Sequence, residues 1–434
     1  MTLTGVGIGW RPELAGFAER RHRLGFAEVV AESIHDDQPL PAGLAALLAR
    51  GVPVVPHGVR LSLGSAEVPD PARVGHLAAL AERLGAPLVS EHLAFVRAGG
   101  LEAGHLLPVP RTREALDVLT GNVRLAQAEL GVPLALEHVA ALLEWPAPEL
   151  DEAAFLTEVL ERTGALLLLD LANLHANARN HGGDPLAFLD ALPLERIAYV
   201  HVAGGVERDG LYHDTHAHPT PPAVLELVAE LCSRRDPPGV LLERDDAYPP
   251  EAELAQGGGR DRRRHPPGGG PPVSGPRERL AAEQAALVRA LVGGGPVPGG
   301  FDPGRVAATS AAVARKRARE VARAWPVLAA DLGEGFTGRF LAAAARRPPP
   351  ARGGALADGL ASARTLAREG RLPPNARVEA MLAAARLSGR PARLAATLAG
   401  PPRRLVVTVR APGLGERWLS IPLGEDGPRR RVIT

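Results

Sequence analysis

Cysteine is nearly absent. Cys232 stands alone in 434 residues, which excludes an internal disulfide and any zinc site built on Cys-x-x-Cys pairs. Lysine is as rare: Lys316 is the only one among 50 basic residues, so arginine abundance reflects codon usage more than a chosen partner. Aromatics make up 3%, too few to interleave with the arginines as nucleic-acid binding by stacking would need. No run of about 20 apolar residues exists, so no segment is long enough to span a membrane. The start, "MTLTGVGIGW", has neither the basic residues nor the apolar stretch of a secretory signal. A soluble, cytoplasmic protein is expected. What is present is a 45% hydrophobic content, enough for the cores of two or three domains.

The net charge of +1 conceals two unlike parts. Residues 1–255 hold 19 Arg against 36 acids, a balance of −17; residues 256–434 hold 31 Lys and Arg against 13 acids, a balance of +18. Between them, residues 255–276 include "GGGRDRRRHPPGGGPPVSGP", a composition that cannot bury a core and reads as a linker. The expected organisation is a domain over 1–254, a Gly/Pro/Arg-rich linker over 255–276, and a basic domain over 277–434.

Within the first domain short apolar runs alternate with helical patterns. The runs are "GVGIGW" (5–10), "FAEVVAE" (26–32), "VPVVPHGV" (52–59), "PLVSEHLAF" (87–95), "PLALEHV" (133–139), "ALLLLDLANL" (165–174), "IAYVHVAG" (197–204) and "GVLLERDD" (239–246). Asp70-Pro71 signals a helix start, with Gly85 as its stop, and "ELDEAAFLTEVLERTG" has acids in its first turn and a closing glycine. Near-continuous apolar strands alternating with helices predict a parallel sheet buried on both faces. Eight of them predict an α/β fold of the (β/α)8 TIM-barrel class, with a doubly wound open sheet as the alternative.

The apolar runs end in polar residues of one kind. They give Glu28 and Glu32, His57, Glu91-His92, Glu137-His138, Asp170 with Asn173 and His175 beyond it, His201, and Glu243. In a parallel barrel the C-terminal strand ends share one mouth, where barrel enzymes place their chemistry. The loop "GLYHDTHAHPT" (210–220) then brings Asp214, His216 and His218 over that mouth. A lone histidine at a strand end is more often a hydrogen-bonded structural residue than a ligand, and Glu28 or Glu91 could pair with arginines. Convergence decides the matter: so many buried ionisable groups are costly unless a multivalent cation compensates them. Imidazoles and carboxylates without thiolate suit iron, manganese or zinc, and they exceed one ion's coordination sphere. No Ser-His-Asp order and no G-x-S-x-G elbow is present.

The segments "HGVRLSLGSAE", "LVSEHLAF", "LALEHVA", "LLLDLANLHANARNHGGDP", "YVHVAGG", "HDTHAHP" and "LLERDD" resemble the multinuclear non-haem iron-dependent oxidative enzymes, the UPF0276 type. The resemblance covers residues 5–250. It implies a TIM barrel holding two or three irons in mixed Fe(II)/Fe(III) states. It also implies O2 as co-substrate, and a reaction that modifies a ribosomally made precursor peptide, commonly at cysteine. It places the metal ligands at His57, His92, Glu137, Asp170, Asn173, His201, Asp214, His216 and Glu243. His138, His175, Glu28, Glu32 and His218 are candidates for the surrounding shell. The chain departs from the common pattern at Glu137-His138, where many members have Glu-Asn, and at Ala172-Asn173-Leu174-His175, where they have Asn-Asn-x-Tyr. Both departures add an imidazole. The alternative function is a divalent-metal-dependent barrel isomerase or hydrolase of the sugar-isomerase or endonuclease type, for which the same ligands serve.

In the second domain "LAAEQAALVRALVGG" (280–294) and the segment 305–350 resemble the helical part of the partner proteins that accompany these oxidases. Val313, Val321, Trp325, Val327 and Leu328 fall on one helix face. Residues 401–434, with "RRLVVTVRAPGLGERWLSIPL", alternate about a glycine and predict a terminal β-hairpin. The basic, mostly helical module is expected to replace a separate partner in recognising the peptide's leader, with nucleic acid the weaker expectation.

Overall fold

The computed structural model describes residues 3–245, 275–344, 347–350 and 352–388, together with the backbone of four strands between 393 and 433. The expected linker over 255–276 lies almost wholly outside the described residues. Eight parallel strands close into a barrel: β1 (Gly5–Trp10), β2 (Phe26–Val30), β3 (Val54–Gly58), β4 (Val89–His92), β5 (Leu134–Glu137), β6 (Leu166–Asp170), β7 (Ile197–Val202) and β8 (Gly239–Leu242). Each pairs with its sequence neighbour, and β8 returns to β1 through Gly5↔Gly239. All eight expected strands are present, and the sheet is closed rather than open.

Local chemistry starts and stops the surrounding helices as the sequence indicates. Asp70 accepts from Ala72 N at the start of Pro71–Leu84, and Gly85 ends that helix at φ 59°. Asp151 caps Glu152–Thr163 through Ala154 N, and Gly164 closes it at φ 71°. Two hairpins interrupt the barrel pattern: Ala94–Ala98 with Leu101–Pro108, and Val206–Arg208 with Leu211–His213. Each turns on two residues of positive φ, Gly99-Gly100 and Asp209-Gly210, the geometry that matches strand twist.

The barrel has two apolar layers. Helices pack on its outside around residues such as Leu44, Leu80, Leu119, Leu160 and Leu231. Inside, Phe26 fills the floor, edge-on to Tyr199 at 5.6 Å between centroids. A Cβ on Gly7 or on Gly239 would stand 2.6 Å from the Phe26 ring. Both glycines are thus the space the ring occupies.

One compact unit comprises Met1–Ala290 and Pro296–Thr309; the other comprises Leu291–Gly295 and Ser310–Thr434. Residues 277–290 and 296–309, expected with the C-terminal domain, therefore pack with the barrel. Gln284, fully buried, explains the first: it donates to Gly64 O and accepts from Ala66 N. Arg277 donates to Ala66 O and to Asn122 Oδ1. Phe301 and Arg305 explain the second, through Trp145 at 5.0 Å and the Asn180 carbonyl.

The second unit is mostly helical, with helices Pro326–Leu332, Gly335–Ala344, Gly354–Arg368 and Pro374–Leu387. Its core gathers Val321, Trp325, Leu328, Phe336, Phe340 and Leu360. Val327, expected on that apolar face, is 39% exposed, because Pro326 starts a new helix at Trp325 and resets the periodicity. The expected hairpin, Arg404–Ala411 with Gly415–Pro422, is the centre of a four-stranded antiparallel sheet completed by Arg393–Ala399 and Arg431–Ile433. Among the described residues no helix is long and apolar enough to cross a membrane.

Replacing Gln284 by Ala removes the partners of two buried backbone groups in the loop after β3. The expected loss is about 1–3 kcal/mol, read as a lower urea midpoint with an unchanged slope. An unchanged midpoint would mean that 276–290 does not brace the barrel.

Candidate metal centre

Side chains at alternate strand positions enter a barrel. Phe26, Val55, Leu88, Ala135, Leu168, Tyr199 and Leu241 form its apolar floor. Two residues further along the same strands stand Glu28, His57, Ser90, Glu137, Asp170, His201 and Glu243. Register then sets neighbours level: His92 lies opposite Glu137 and Asp170 opposite His201.

Three groups of donors result. His57, His92 and Glu137 form one; Glu137, Asp170 and His201 a second; Asp170, His216 and Glu243 a third. Within each group the donor atoms lie within 4.8 Å of one another. Glu137 and Asp170 each belong to two groups, so the seven side chains form a continuous row along the barrel mouth. Glu137 Oε2, Asp170 Oδ2 and His201 Nδ1 are buried without hydrogen-bond partners, as is Asp214 Oδ1 beside them. Orphaned donors and acceptors of this kind are rare in folded proteins, and a bound ion would satisfy them. Nitrogen and oxygen donors without sulfur fit iron, manganese or zinc.

Each donor is oriented from behind. Asp170 caps the helix Leu171–His181, its Oδ1 accepting from Ala172 N at 2.6 Å and Asn173 N at 2.8 Å; only Oδ2 is left for a metal. His92 Nδ1 lies 3.1 Å from Gly58 O, and a carbonyl only accepts, so Nδ1 keeps its hydrogen and Nε2, 3.3 Å from Glu137 Oε2, is the atom left for a metal. His201 Nε2 is held by Glu28 Oε2 at 3.0 Å, which turns Nδ1 toward Glu243 Oε2 at 3.3 Å. Tyr199 Oη is 2.5 Å from the same Glu28 oxygen and 2.7 Å from Ser90 Oγ, which is 2.8 Å from His57 Nδ1. The phenol's single proton goes to the carboxylate. The serine then donates to the phenol and accepts from His57, so the His57 Nε2 lone pair is free. One carboxylate, Glu28, thereby fixes the tautomers of two imidazoles.

His216 is brought over the mouth by a loop in which it adopts φ 49°, a left-handed conformation unusual for a side-chain-bearing residue. Its Nε2 pairs with Asp214 Oδ2 and its Nδ1 faces Glu243 Oε2 at 3.4 Å. Arg11, just past β1, holds Glu243 Oε1 at 3.2 Å and Asp245 at 2.9 Å.

These groups cannot all be charged in the absence of a cation. Burial, the largest influence, pushes Glu137 up to about 8 against the pull of His92 and His201. Asp170 rises to about 6, through burial and then Asp214. Burial lowers His57 to about 4 despite Glu28. For His92 burial also opposes the charge, but Glu137 and Glu91 outweigh it and lift the group to about 9. A bound multivalent ion reverses this, favouring carboxylates ionised and imidazoles neutral.

Seven of the nine expected ligands thus share the row. The other two lie beside it. Asn173 Nδ2 donates to Glu137 Oε1 at 3.2 Å and to His138 O at 2.9 Å, and Asp214 pairs with His216. Of the expected shell, Glu28 is the orienting group just described, and Glu32 accepts from Val59 N at 3.0 Å. His138 is buried with neither ring nitrogen partnered, and it joins none of the three groups. His175 is packed edge-on to Tyr212 at 5.0 Å, and His218 binds Thr215 on the surface; neither reaches the row. Ser90, Tyr199 and Arg11 were not foreseen. The first two stand two positions before His92 and His201, and the alternation that exposed the histidines would have found them.

Residues 5–262 match the family described as RiPP precursor modification enzyme MbnB/TglH/ChrH, and residues 281–368 match the SCO6045-like C-terminal domain. A UPF0276 protein of Streptomyces avermitilis is 46% identical over 409 residues, covering 79% of this chain and 84% of that protein. A UPF0276 protein of Caulobacter vibrioides is 36% identical over 252 residues, covering 58% of this chain and 90% of that one. Among solved structures, endonuclease IV from Thermus thermophilus is 23% identical with a TM-score of 0.38, over 58% of this chain and 94% of that one. L-ribulose 3-epimerase is 18% identical with a TM-score of 0.37, over 56% and 80%.

Metal loading must displace protons from Glu137, Asp170 and His92, so affinity rises with pH across about 6 to 9. Chelator competition, corrected for the chelator's own titration, is expected to show binding at least about tenfold tighter at pH 8.5 than at pH 6.5. Equal affinity at both would contradict the row as the site.

Proposed function

The chain belongs to the RiPP precursor modification enzyme MbnB/TglH/ChrH family, and from that premise we propose that its barrel is an iron-dependent, O2-using oxidase of a ribosomally synthesised precursor peptide, acting at a cysteine side chain. The observation that carries this reading is the row of three linked donor groups whose buried atoms lack partners. Two or three irons in mixed Fe(II)/Fe(III) states are the proposed occupants, with His57, His92, Glu137, Asp170, His201, His216 and Glu243 as ligands and Asn173 and Asp214 completing the set. Bound iron supplies the one-electron, O2-activating chemistry.

The protein's own work is positional. Glu28, Tyr199 and Ser90 keep the His57 and His201 lone pairs aimed inward, and Asp170 is held to one free oxygen by the helix it caps. Glu137 and Asp170, each common to two of the donor groups, would serve more than one ion were several bound. The apolar floor closes the barrel beneath the row. The C-terminal module, similar over residues 281–368 to the SCO6045-like C-terminal domain, is proposed to take the place of a partner protein in recognising the peptide. A cytoplasmic location is part of the same proposal.

The test is co-expression with any short cysteine-bearing peptide found encoded beside its gene. The expected result is a change in peptide mass that requires both iron and O2 and disappears in Asp170→Ala. Turnover under strict anaerobiosis with manganese or zinc would overturn the oxidase and favour a Lewis-acid isomerase or hydrolase.

A further inference from the structure

Beside the donor row, between the segment after β2, the end of β3 and the helix Pro71–Leu84, lies a cavity of about 370 Å3. Glu32, Gly58, Arg60, Arg73 and His76 are among the residues that line it. Its size is that of a small-molecule or side-chain pocket. Gly58 is the residue whose carbonyl orients His92, so the cavity begins one residue from a proposed ligand.

The charges around it are unevenly matched. Arg60 is only 7% exposed. Its Nη2 donates to Glu102 Oε2 at 3.0 Å, while Nη1 is buried with no hydrogen-bond partner. Arg73 takes the other Glu102 oxygen, Oε1, also at 3.0 Å. Two guanidinium groups thus share one carboxylate at close range, with Asp70 a further 3.8 Å from Arg73 Nε. Glu32 offers a second unmet atom: Oε1 accepts from Val59 N, but Oε2 is buried and unpartnered. Burial, and then Glu91, raises this carboxyl to about 7, so below that pH it holds a proton to donate. A buried guanidinium edge without an acceptor is costly.

We propose that this cavity is a carboxylate-binding subsite, in which Arg60 Nη1 and the Glu32 carboxyl receive a single carboxylate carried by the peptide substrate. The acids on its rim, Asp36, Asp37 and Asp70, disfavour a dianion such as phosphate, and the unpartnered Arg60 Nη1 calls for an acceptor. That the carrier is a peptide rests on the function proposed above; the subsite itself does not.

The test titrates the full-length protein, metal-loaded and after chelation, with four probes by calorimetry. They are acetyl-Gly-Gly-Ala with a free carboxylate, its C-terminal amide, acetyl-Gly-Asp-Gly amide, and propionate. The expected result is binding of the free acid at least about tenfold tighter than of its amide in both metal states. Tighter binding of the tripeptide acid marks a chain terminus as the source, and of the Asp peptide an acidic side chain. Propionate binding as tightly as either would overturn the peptide as carrier. Arg60→Gln is expected to abolish the difference between acid and amide. Glu32→Leu, which removes the donor and leaves Arg60 in place, is expected to weaken binding of the free acid and not of the amide, and serves if Arg60→Gln does not fold. Equal binding of acid and amide, or a preference that vanishes on chelation and ignores Arg60, would overturn the subsite. Because binding is read without turnover, an inactive protein that still prefers the acid would leave the subsite standing and sink only the oxidase.

Discussion

Four carboxylates and four imidazoles crowd the dry end of one small barrel, and nothing else in the structure makes sense until their charge is accounted for. Glu28, Glu137, Asp170 and Glu243 lie beside His57, His92, His201 and His216, all but His216 buried. In water such groups are solvated independently; here each must find its compensation among the others. Hydrogen bonding satisfies one side of most of them and leaves the other side bare. The bare sides, Glu137 Oε2, Asp170 Oδ2 and His201 Nδ1, all point into the same row. Multivalent cations are the compensation that the remaining protein does not supply.

The fold converts that requirement into geometry with few parts. A two-residue period sends apolar side chains to the barrel floor and polar ones to the mouth from the same strands. Strand register sets His92 against Glu137 and Asp170 against His201. Helix capping then does at Asp170 what a second carboxylate would do elsewhere, occupying one oxygen so that the other has a single direction. The His57–Ser90–Tyr199–Glu28–His201 chain crosses the barrel beneath the row and ties two imidazoles, at different groups, to one carboxylate. A disturbance at Glu28 would therefore be felt at two metal positions together.

Much of this was legible in the sequence because it rests on local periodicity. The eight strands, their polar ends, and the capped helices at Asp70 and Asp151 follow from patterns a few residues long. What escaped reading depends on other signals. The Asp209-Gly210 hairpin carries its turn residues openly, inside a segment whose histidines are the stronger signal. Ser90 and Tyr199 act through neighbours more than a hundred positions away, so only the alternation could have placed them. The break at Pro326, which turns Val327 outward, is a one-residue event inside a strong helical pattern. The packing of 277–290 with the barrel depends on Gln284 meeting backbone at Gly64 and Ala66, a contact across more than two hundred residues that composition does not foretell. His175 and His218 belonged to the right loops but point elsewhere, since proximity in sequence does not fix direction.

The central claim is that these side chains hold several adjacent ions, and the most direct measurement is anomalous diffraction at the iron edge from crystals of the iron-loaded chain. The account expects separate peaks bounded by His57, His92 and Glu137, by Glu137, Asp170 and His201, or by Asp170, His216 and Glu243, with at least two of the three occupied. A single peak away from Glu137 and Asp170, or none in protein shown to be folded, would contradict it.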